Sequence, residues 1–112
     1  MEITTLVNGQ SSHVLDVRDR GMAYGDGVFE TIALKQSQVQ LWQAHRHRLA
    51  NGLMTLGIVA DEAACLSLIN AIVDDIKAAY LLFDCPDGVI KIVVTRGCGG
   101  RGYAAPIASL PT

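Results

Sequence analysis

The first 27 residues alternate between short apolar stretches and polar, glycine-containing turns, a pattern typical of β-structure. Asn8-Gly9 separates the apolar residues 3–7 from 14–17, and this dipeptide is the most characteristic short β-hairpin turn. We therefore predict a hairpin with these two segments as its strands. The segment 18–27 that follows is polar and contains three glycines, so we predict a loop whose backbone uses the conformational freedom of glycine.

Three further strands are predicted from apolar, β-branched and aromatic content. Residues 28–34 and 39–42 form two of them, and a polar turn at 36–38 separates the two. Residues 89–95 form an apolar run that is broken by Lys91, which is typical of a mostly buried strand.

Between these strands the apolar positions recur with a helical period. A first helix is predicted from Ala44, with Gly57 as its C-terminal stop. Asp61 is predicted to be the N-cap of a second helix that ends near residues 80–83. The apolar stripe of the second helix consists of Leu66, Ile69, Ile72, Val73 and Ile76.

This order of elements indicates an α+β fold, with an antiparallel or mixed sheet and two helices packed on one of its faces. A second glycine-rich segment follows the last predicted strand, and residues 104–112 show no periodicity. We therefore expect residues 1–112 to be the N-terminal α+β domain of a longer protein, with a second domain beyond Thr112.

Composition and charge exclude several classes of protein. Half of the 112 residues are hydrophobic and 18% are charged, which excludes an intrinsically disordered chain. The net charge of −2, without a basic segment, argues against nucleic-acid binding. The N-terminus lacks the features of a signal peptide, and no apolar run reaches the roughly 20 residues that a membrane span needs. Three cysteines without a CxxC pair argue against a disulfide framework or a zinc site, so we expect a cytoplasmic protein with reduced thiols.

Three segments contain residues suited to ligand binding, and residues 19–31 are the first. Here Gly25 and Gly27 flank Asp26 directly before a predicted strand. Spacing alone favours a bulged loop that merely requires glycine. The segment lacks the order of strand, glycine loop and helix that defines a dinucleotide-binding fingerprint.

The second segment contains His45 and Arg48, which are three residues apart and share a face near the start of the predicted helix. Helix N-termini bind anions through free N–H groups, and an arginine adds a bidentate fork for phosphate. A solvated basic turn is the alternative. His13 and His47 do not combine with His45 at the spacing of ligands on one helix face, so we expect no metal site.

The third segment, residues 95–103, places four glycines around Arg101. The backbone there can approach a ligand closely, and a guanidinium matches a carboxylate. A flexible surface loop is the alternative. Lys91, in the preceding strand, either extends its ammonium group to the surface or contacts an anion, and we favour the first interpretation.

Taken together, the segments resemble the N-terminal part of the 4-amino-4-deoxychorismate lyases, a family within the branched-chain/D-amino-acid aminotransferase class of pyridoxal-phosphate enzymes (fold type IV). Glycines and Arg101 in the third segment favour the lyases over their aminotransferase relatives. The matching positions are Asn8-Gly9 and residues 18–21, 24–31, 45–49 and 95–103.

The resemblance implies that 4-amino-4-deoxychorismate is converted into 4-aminobenzoate and pyruvate, a step of folate biosynthesis, with pyridoxal 5'-phosphate as the cofactor. It also implies a homodimer, with each active site between two domains and near the subunit interface. Arg48 would contact the cofactor phosphate, Arg101 and Tyr103 the substrate carboxylates, and Phe29 would lie on the substrate side.

The sequence departs from a complete member of this family in one respect. The Schiff-base lysine of the family lies at the start of the second domain, and none of Lys35, Lys77 and Lys91 matches its position. We therefore assign no catalytic residue within these 112 residues, and we expect this chain alone to be inactive.

Two other functions remain open. One is a branched-chain or D-amino-acid aminotransferase, which differs from the lyase in its product. The other is a non-catalytic interaction module that keeps the fold without the chemistry. A lysine-bearing domain beyond Thr112 would favour an enzyme over a module.

Overall fold

A computed structural model describes residues 3–99 and 111–112. It confirms an α+β fold with antiparallel sheets, although the described part contains three helices rather than the two predicted. The elements are β1 (Leu6–Val7), β2 (Gln10–Ser11), α1 (Arg20–Tyr24), β3 (Gly27–Lys35), β4 (Gln38–Val39), α2 (Trp42–Thr55), α3 (Glu62–Phe83) and β5 (Gly88–Thr95).

The main sheet has the strand order β4-β3-β5, and β3 pairs with both neighbours in an antiparallel register. Along the long β3–β5 pair, Phe29 lies opposite Val93 and Thr31 lies opposite Lys91. Because successive side chains alternate between the two faces of a strand, this register also places Glu30 opposite Ile92 on the other face.

One face of the sheet, which we call the inner face, is covered by α2 and α3. The apolar core there is aliphatic, as the low aromatic content of the sequence requires. Helix α2 lies close to β3 because position 52 is glycine: a Cβ there would come within 2.9 Å of a methyl group of Val28. The buried members of the core are Ile32, Leu49, Leu53, Ile58, Val59, Cys65, Ile69, Ile92 and Val94.

The opposite face of the sheet, the outer face, is largely open in the described part of the chain. Phe29, Val89 and Val93 point from it with 65%, 71% and 54% of their surface exposed. Helix α1 lies against β5, and Gly21 directly contacts the side chain of Thr95, where any larger residue would collide. The outer face therefore combines exposed apolar side chains with Thr31 and Lys91, and α1 lies against its Thr95 end.

The sequence predicted α3 well and α2 less well. Asp61 caps α3 as expected, its carboxylate accepting from the backbone N–H of Ala64 at 2.8 Å. Of the predicted strand over 39–42 only Val39 lies in a strand, because Gln40 forms a turn, Leu41 takes a left-handed conformation and Trp42 already begins α2. Gly57 lies just beyond the end of α2 with a φ of 68°, consistent with its predicted role as a stop.

The N-terminal hairpin exists, but the prediction that 14–17 form its second strand is wrong. Asn8 and Gly9 both have positive φ, so they form a two-residue turn and the returning strand must begin at Gln10. Val14 and Val17 are about three-quarters exposed and their apolar character does not reflect burial. The predicted loop over 18–27 contains α1, whose five residues are too few to show a period. Among the described residues, no helix has the length and apolar character needed to cross a membrane.

Candidate functional site

A buried carboxylate on the inner face of β3 joins two of the predicted site residues. Glu30 is 5% exposed and accepts hydrogen bonds from His45 and Arg48, both on α2. His45 Nδ1 lies 2.7 Å from Glu30 Oε1 and must be the donor, because a carboxylate can only accept. The sequence prediction that His45 and Arg48 share a helix face is therefore supported by their common partner.

Arg48 binds the Glu30 carboxylate through the edge of its guanidinium formed by Nε and Nη2. Nε lies 2.9 Å from Oε2 and Nη2 lies 2.9 Å from Oε1. No described residue accepts from the remaining nitrogen, Nη1, and 71% of the side chain is exposed. These hydrogen bonds from Arg48, followed by that from His45, lower the pKa of Glu30 and keep it ionised, and Glu30 in turn raises the pKa of Arg48.

The sequence placed Arg48 near the start of a helix, where free N–H groups favour anion binding, and the structure shows that this reason is wrong. Helix α2 begins at Trp42, so Arg48 is six residues and about 9 Å further along the axis. The backbone N–H of His45 already donates to the carbonyl of Leu41 within the helix. Free N–H groups at the helix start therefore do not surround Arg48, and they do not support anion binding there.

Two of the histidines, His45 and His47, make hydrogen bonds to neighbouring side chains. His45 is committed to Glu30, and His47 Nε2 lies 3.3 Å from the side-chain amide of Asn51 on the same helix. Within residues 3–99 and 111–112, no three His, Cys, Asp or Glu side chains cluster in a way that could hold a metal ion.

A second ionic cluster connects the first and third sequence segments. Asp26 Oδ2 accepts from Nε of both Arg20 and Arg96, each at 2.8 Å. The hydrogen bond from Arg96 is the main reason that the pKa of Asp26 is lowered. Arg96 also donates to the carbonyls of Leu56 and Gly57, so it ties the end of β5 to the end of α2.

Asp19 also connects the first sequence segment to the third. Its buried carboxylate caps α1 by accepting from the N–H of Gly21, and it accepts from the hydroxyl of Thr95 at 2.7 Å. Arg20 binds the backbone of the third segment twice, through the carbonyls of Gly97 and Gly99. The start of the second glycine-rich segment is therefore held by the first, a link that no local pattern in the sequence reveals.

The remaining predicted residues divide between the outer face and the part of the chain outside the described residues. Phe29 lies on the outer face, with Lys91 Nζ 5.4 Å from the centre of its ring. Arg48 approaches the same strand from the inner face, so the structure does not bring Phe29 and Arg48 together. Arg101 and Tyr103 lie outside the described residues.

Sequence analysis assigned no role to Glu30, Asp19, Arg20, Asp26 or Arg96. For Glu30 a signal was present: it shares the inner face with Val28, Ile32 and Leu34, and a charge on an otherwise apolar face requires a partner. For the Asp26 cluster no such signal exists, since its members are up to 77 residues apart and lie in segments without periodicity.

Known proteins similar to this chain include two lyases and an aminotransferase. The chain is 41% identical to the crystal structure of 4-amino-4-deoxychorismate lyase from Pseudomonas aeruginosa, with a TM-score of 0.72, over 92% of this chain and 35% of that one. It is 38% identical to the aminodeoxychorismate lyase of Vibrio harveyi over 88% of this chain and 33% of the relative. It is 31% identical to a putative branched-chain-amino-acid aminotransferase of Methanocaldococcus jannaschii over 88% of this chain and 32% of the relative.

The chain thus spans about a third of the length of these relatives. The family model for class IV amino-transferases matches residues 27–111, which include β3, both long helices, β5 and the second glycine-rich segment. Since this match covers most of the chain, and the fold agrees with it, the chain belongs to the class IV aminotransferase family.

Proposed function

We propose that residues 1–112 form the N-terminal domain of a pyridoxal-phosphate-dependent 4-amino-4-deoxychorismate lyase, which releases 4-aminobenzoate and pyruvate. One observation carries this proposal: the chain is 41% and 38% identical to two such lyases, against 31% for the aminotransferase of the same class. All three similarities extend over about nine-tenths of the chain, so the difference does not arise from coverage.

The residues of α2 fit a phosphorylated cofactor. Arg48 presents an exposed guanidinium edge whose orientation is already fixed by Glu30, and a guanidinium matches a phosphate in charge and geometry. Pyridoxal 5'-phosphate, when bound, serves as an electron sink for the substrate carbon next to the amine. The role of Arg48 in this proposal is to bind and orient the phosphate at Nη1.

The substrate carries two carboxylates and a ring, and the chain offers a partner for each. Phe29 supplies an exposed aromatic surface on the outer face. Arg101 and Tyr103 are proposed to bind carboxylate, and the described start of their segment is anchored by Arg20 and Asp19.

Proton transfer requires a lysine that these residues do not supply. Lys35 and Lys91 lie on strands and Lys77 lies on α3, and none occupies the position of the family lysine. We infer a second domain that contributes this lysine, and, on the resemblance, a homodimer and a cytoplasmic location. Light scattering of the purified full-length protein checks the dimer.

The central experiment assays the full-length protein with 4-amino-4-deoxychorismate and pyridoxal 5'-phosphate. We expect 4-aminobenzoate and pyruvate in equal amounts and no dependence on 2-oxoglutarate. Turnover of branched-chain or D-amino acids with 2-oxoglutarate, without 4-aminobenzoate, would instead identify an aminotransferase, the function that the 31% identity to the M. jannaschii protein favours as second candidate. If the full-length protein catalysed neither reaction, a non-catalytic interaction module would be the remaining function.

Arg101→Ala in the full-length protein tests the substrate contact. Losing a buried charge contact costs about 2–5 kcal/mol, so KM for aminodeoxychorismate should rise at least about 30-fold while cofactor absorption stays unchanged. Arg101→Lys should recover only part of the loss, because an ammonium group cannot form the planar fork. Arg46→Ala is the matched control. An unchanged KM in Arg101→Ala would show that Arg101 does not bind the substrate and that the third segment only connects other elements.

A further inference from the structure

Glu30 is an unusual residue for its position. It lies on the apolar inner face of the central strand, opposite Ile92, with 5% of its surface exposed. Burying an ion pair in such a place is often no better for stability than packing apolar side chains of similar volume. The stability of the core therefore does not by itself explain a carboxylate at position 30.

The geometry of Glu30 instead constrains Arg48. A surface arginine has high side-chain rotamer entropy and samples many orientations. Here three hydrogen bonds from Nε and Nη2 to the two carboxylate oxygens fix both the plane and the direction of the guanidinium. Nη1 has no acceptor among the described residues, and the Arg48 side chain is 71% exposed.

His45 keeps Glu30 in place from the same helix. Its Nδ1 donates to Oε1, the oxygen that also accepts from Nη2 of Arg48. The carboxylate is thereby held between two side chains three residues apart on α2. Glu30, on the sheet, thus fixes the orientation of Arg48, on the helix.

We propose that Glu30 is a positioning residue that holds the Arg48 guanidinium in the orientation that binds the phosphate of the cofactor. This inference rests on the proposed function, and specifically on Arg48 as the phosphate contact. Phosphate binding to a guanidinium already held in place avoids the entropy of ordering it, so the contribution of Glu30 appears as cofactor affinity.

The test uses the full-length protein and two ligands, pyridoxal 5'-phosphate and pyridoxal, which lacks the phosphate. Glu30→Met places an apolar side chain of similar volume in the core and leaves Arg48 at the surface, so folding is retained. We expect the dissociation constant for pyridoxal 5'-phosphate to rise about tenfold and that for pyridoxal to remain unchanged. Glu30→Gln should give the same pattern, and Glu62→Gln, at the exposed start of α3, is the matched control.

A double-mutant cycle separates positioning from a general structural effect. In an Arg48→Ala background, Glu30→Met should cause no further loss of affinity for pyridoxal 5'-phosphate. A loss that persists in this background, or that affects pyridoxal equally, would overturn the positioning role. If Arg48→Ala itself left affinity unchanged, the phosphate assignment in the proposed function would fail. If Arg48→Ala weakened binding and both Glu30 variants did not, only the positioning inference would fail.

Discussion

Two carboxylates, Glu30 and Asp26, each accept hydrogen bonds from two basic side chains elsewhere in the fold. Both sit in or beside β3, yet they act on different parts of the molecule. Glu30 orients Arg48 on α2, and Asp26 joins α1 to the end of β5 through Arg20 and Arg96. At the scale of single residues the site therefore consists of charged side chains that pair across different parts of the fold. The sequence contains these residues but does not show which of them pair.

Replacing Arg48 with alanine should weaken cofactor binding and also destabilise the fold. A hydrogen bond to a charged group is worth about 1.5–3 kcal/mol, so the dissociation constant for pyridoxal 5'-phosphate should rise 10- to 100-fold, as spectrophotometric titration of the full-length protein would measure. Glu30 would keep only His45 as partner, and urea unfolding should show a lower free energy of unfolding than in the parent. Arg46→Ala, on the same helix without a contact to Glu30, should do neither. A variant indistinguishable from Arg46→Ala in both measurements would return Arg48 to the class of solvated surface residues.

The two carboxylates also predict how stability depends on pH. Their pKa values are lowered in the folded state from the ordinary 4.5 and 3.8, chiefly by Arg48 for Glu30 and by Arg96 for Asp26. A lowered carboxyl pKa stabilises the folded state fully above the unfolded value, and this stabilisation disappears as the pH falls through the folded value. The free energy of unfolding should therefore decrease progressively below about pH 4.5.

Chemical unfolding across a series of pH values measures this dependence. Asp26→Asn should be less stable at neutral pH, because Arg20 and Arg96 lose their shared carboxylate, and should lose less on acidification than the parent. Asp74→Asn, at an exposed position of α3, should keep the parental slope. Equal slopes in Asp26→Asn and the parent would show that Asp26 does not contribute to acid sensitivity.

At the scale of elements, the sequence predicted what local chemistry specifies. Helix α3 has its cap at Asp61 as expected. Of the predicted apolar stripe, Ile69, Ile72, Val73 and Ile76 lie in or against the core, whereas Leu66 is 50% exposed. The strands β3 and β5 follow from their apolar content. The second hairpin strand was wrong because the two-residue turn at Asn8-Gly9, rather than the apolar residues 14–17, determines the register. Helix α1 was missed because its stability comes from Asp19 and from contact with β5, neither of which is a local pattern.

Loss of the Asp61 cap at the start of α3 should lower the stability of the protein. Asp61→Ala removes the acceptor of the Ala64 N–H and should lower the free energy of unfolding by about 0.5–2 kcal/mol. Asp74→Ala removes an equal charge from the same helix without a capping contact, and should change stability far less. Amide hydrogen exchange at Ala64 should accelerate in Asp61→Ala and not in Asp74→Ala; equal protection in both would mean that the cap does not stabilise the helix start.

For the molecule as a whole, the two faces of the main sheet differ in a way that the sequence only partly indicated. The inner face is buried by α2 and α3, and the prediction of helices on one face is confirmed. The apolar run at 89–95 suggested a mostly buried strand, but Val89 and Val93 on the outer face are exposed in the described part. Apolar content alone cannot distinguish burial within a domain from a surface that another domain or a ligand covers.

The chain of 112 residues should therefore fold without being able to catalyse the reaction. It has a closed aliphatic core on the inner face, but none of its three lysines matches the family position, and its outer face carries Phe29 exposed. Mixed with pyridoxal 5'-phosphate, the isolated chain should give no stable visible absorption band of bound cofactor and no 4-aminobenzoate. The full-length protein, assayed in parallel, should give both, and a cooperative thermal transition would verify that the isolated chain is folded. Formation of 4-aminobenzoate by the isolated chain, free of any longer form, would place the lysine within these residues, and Lys35→Ala, Lys77→Ala and Lys91→Ala would then identify it.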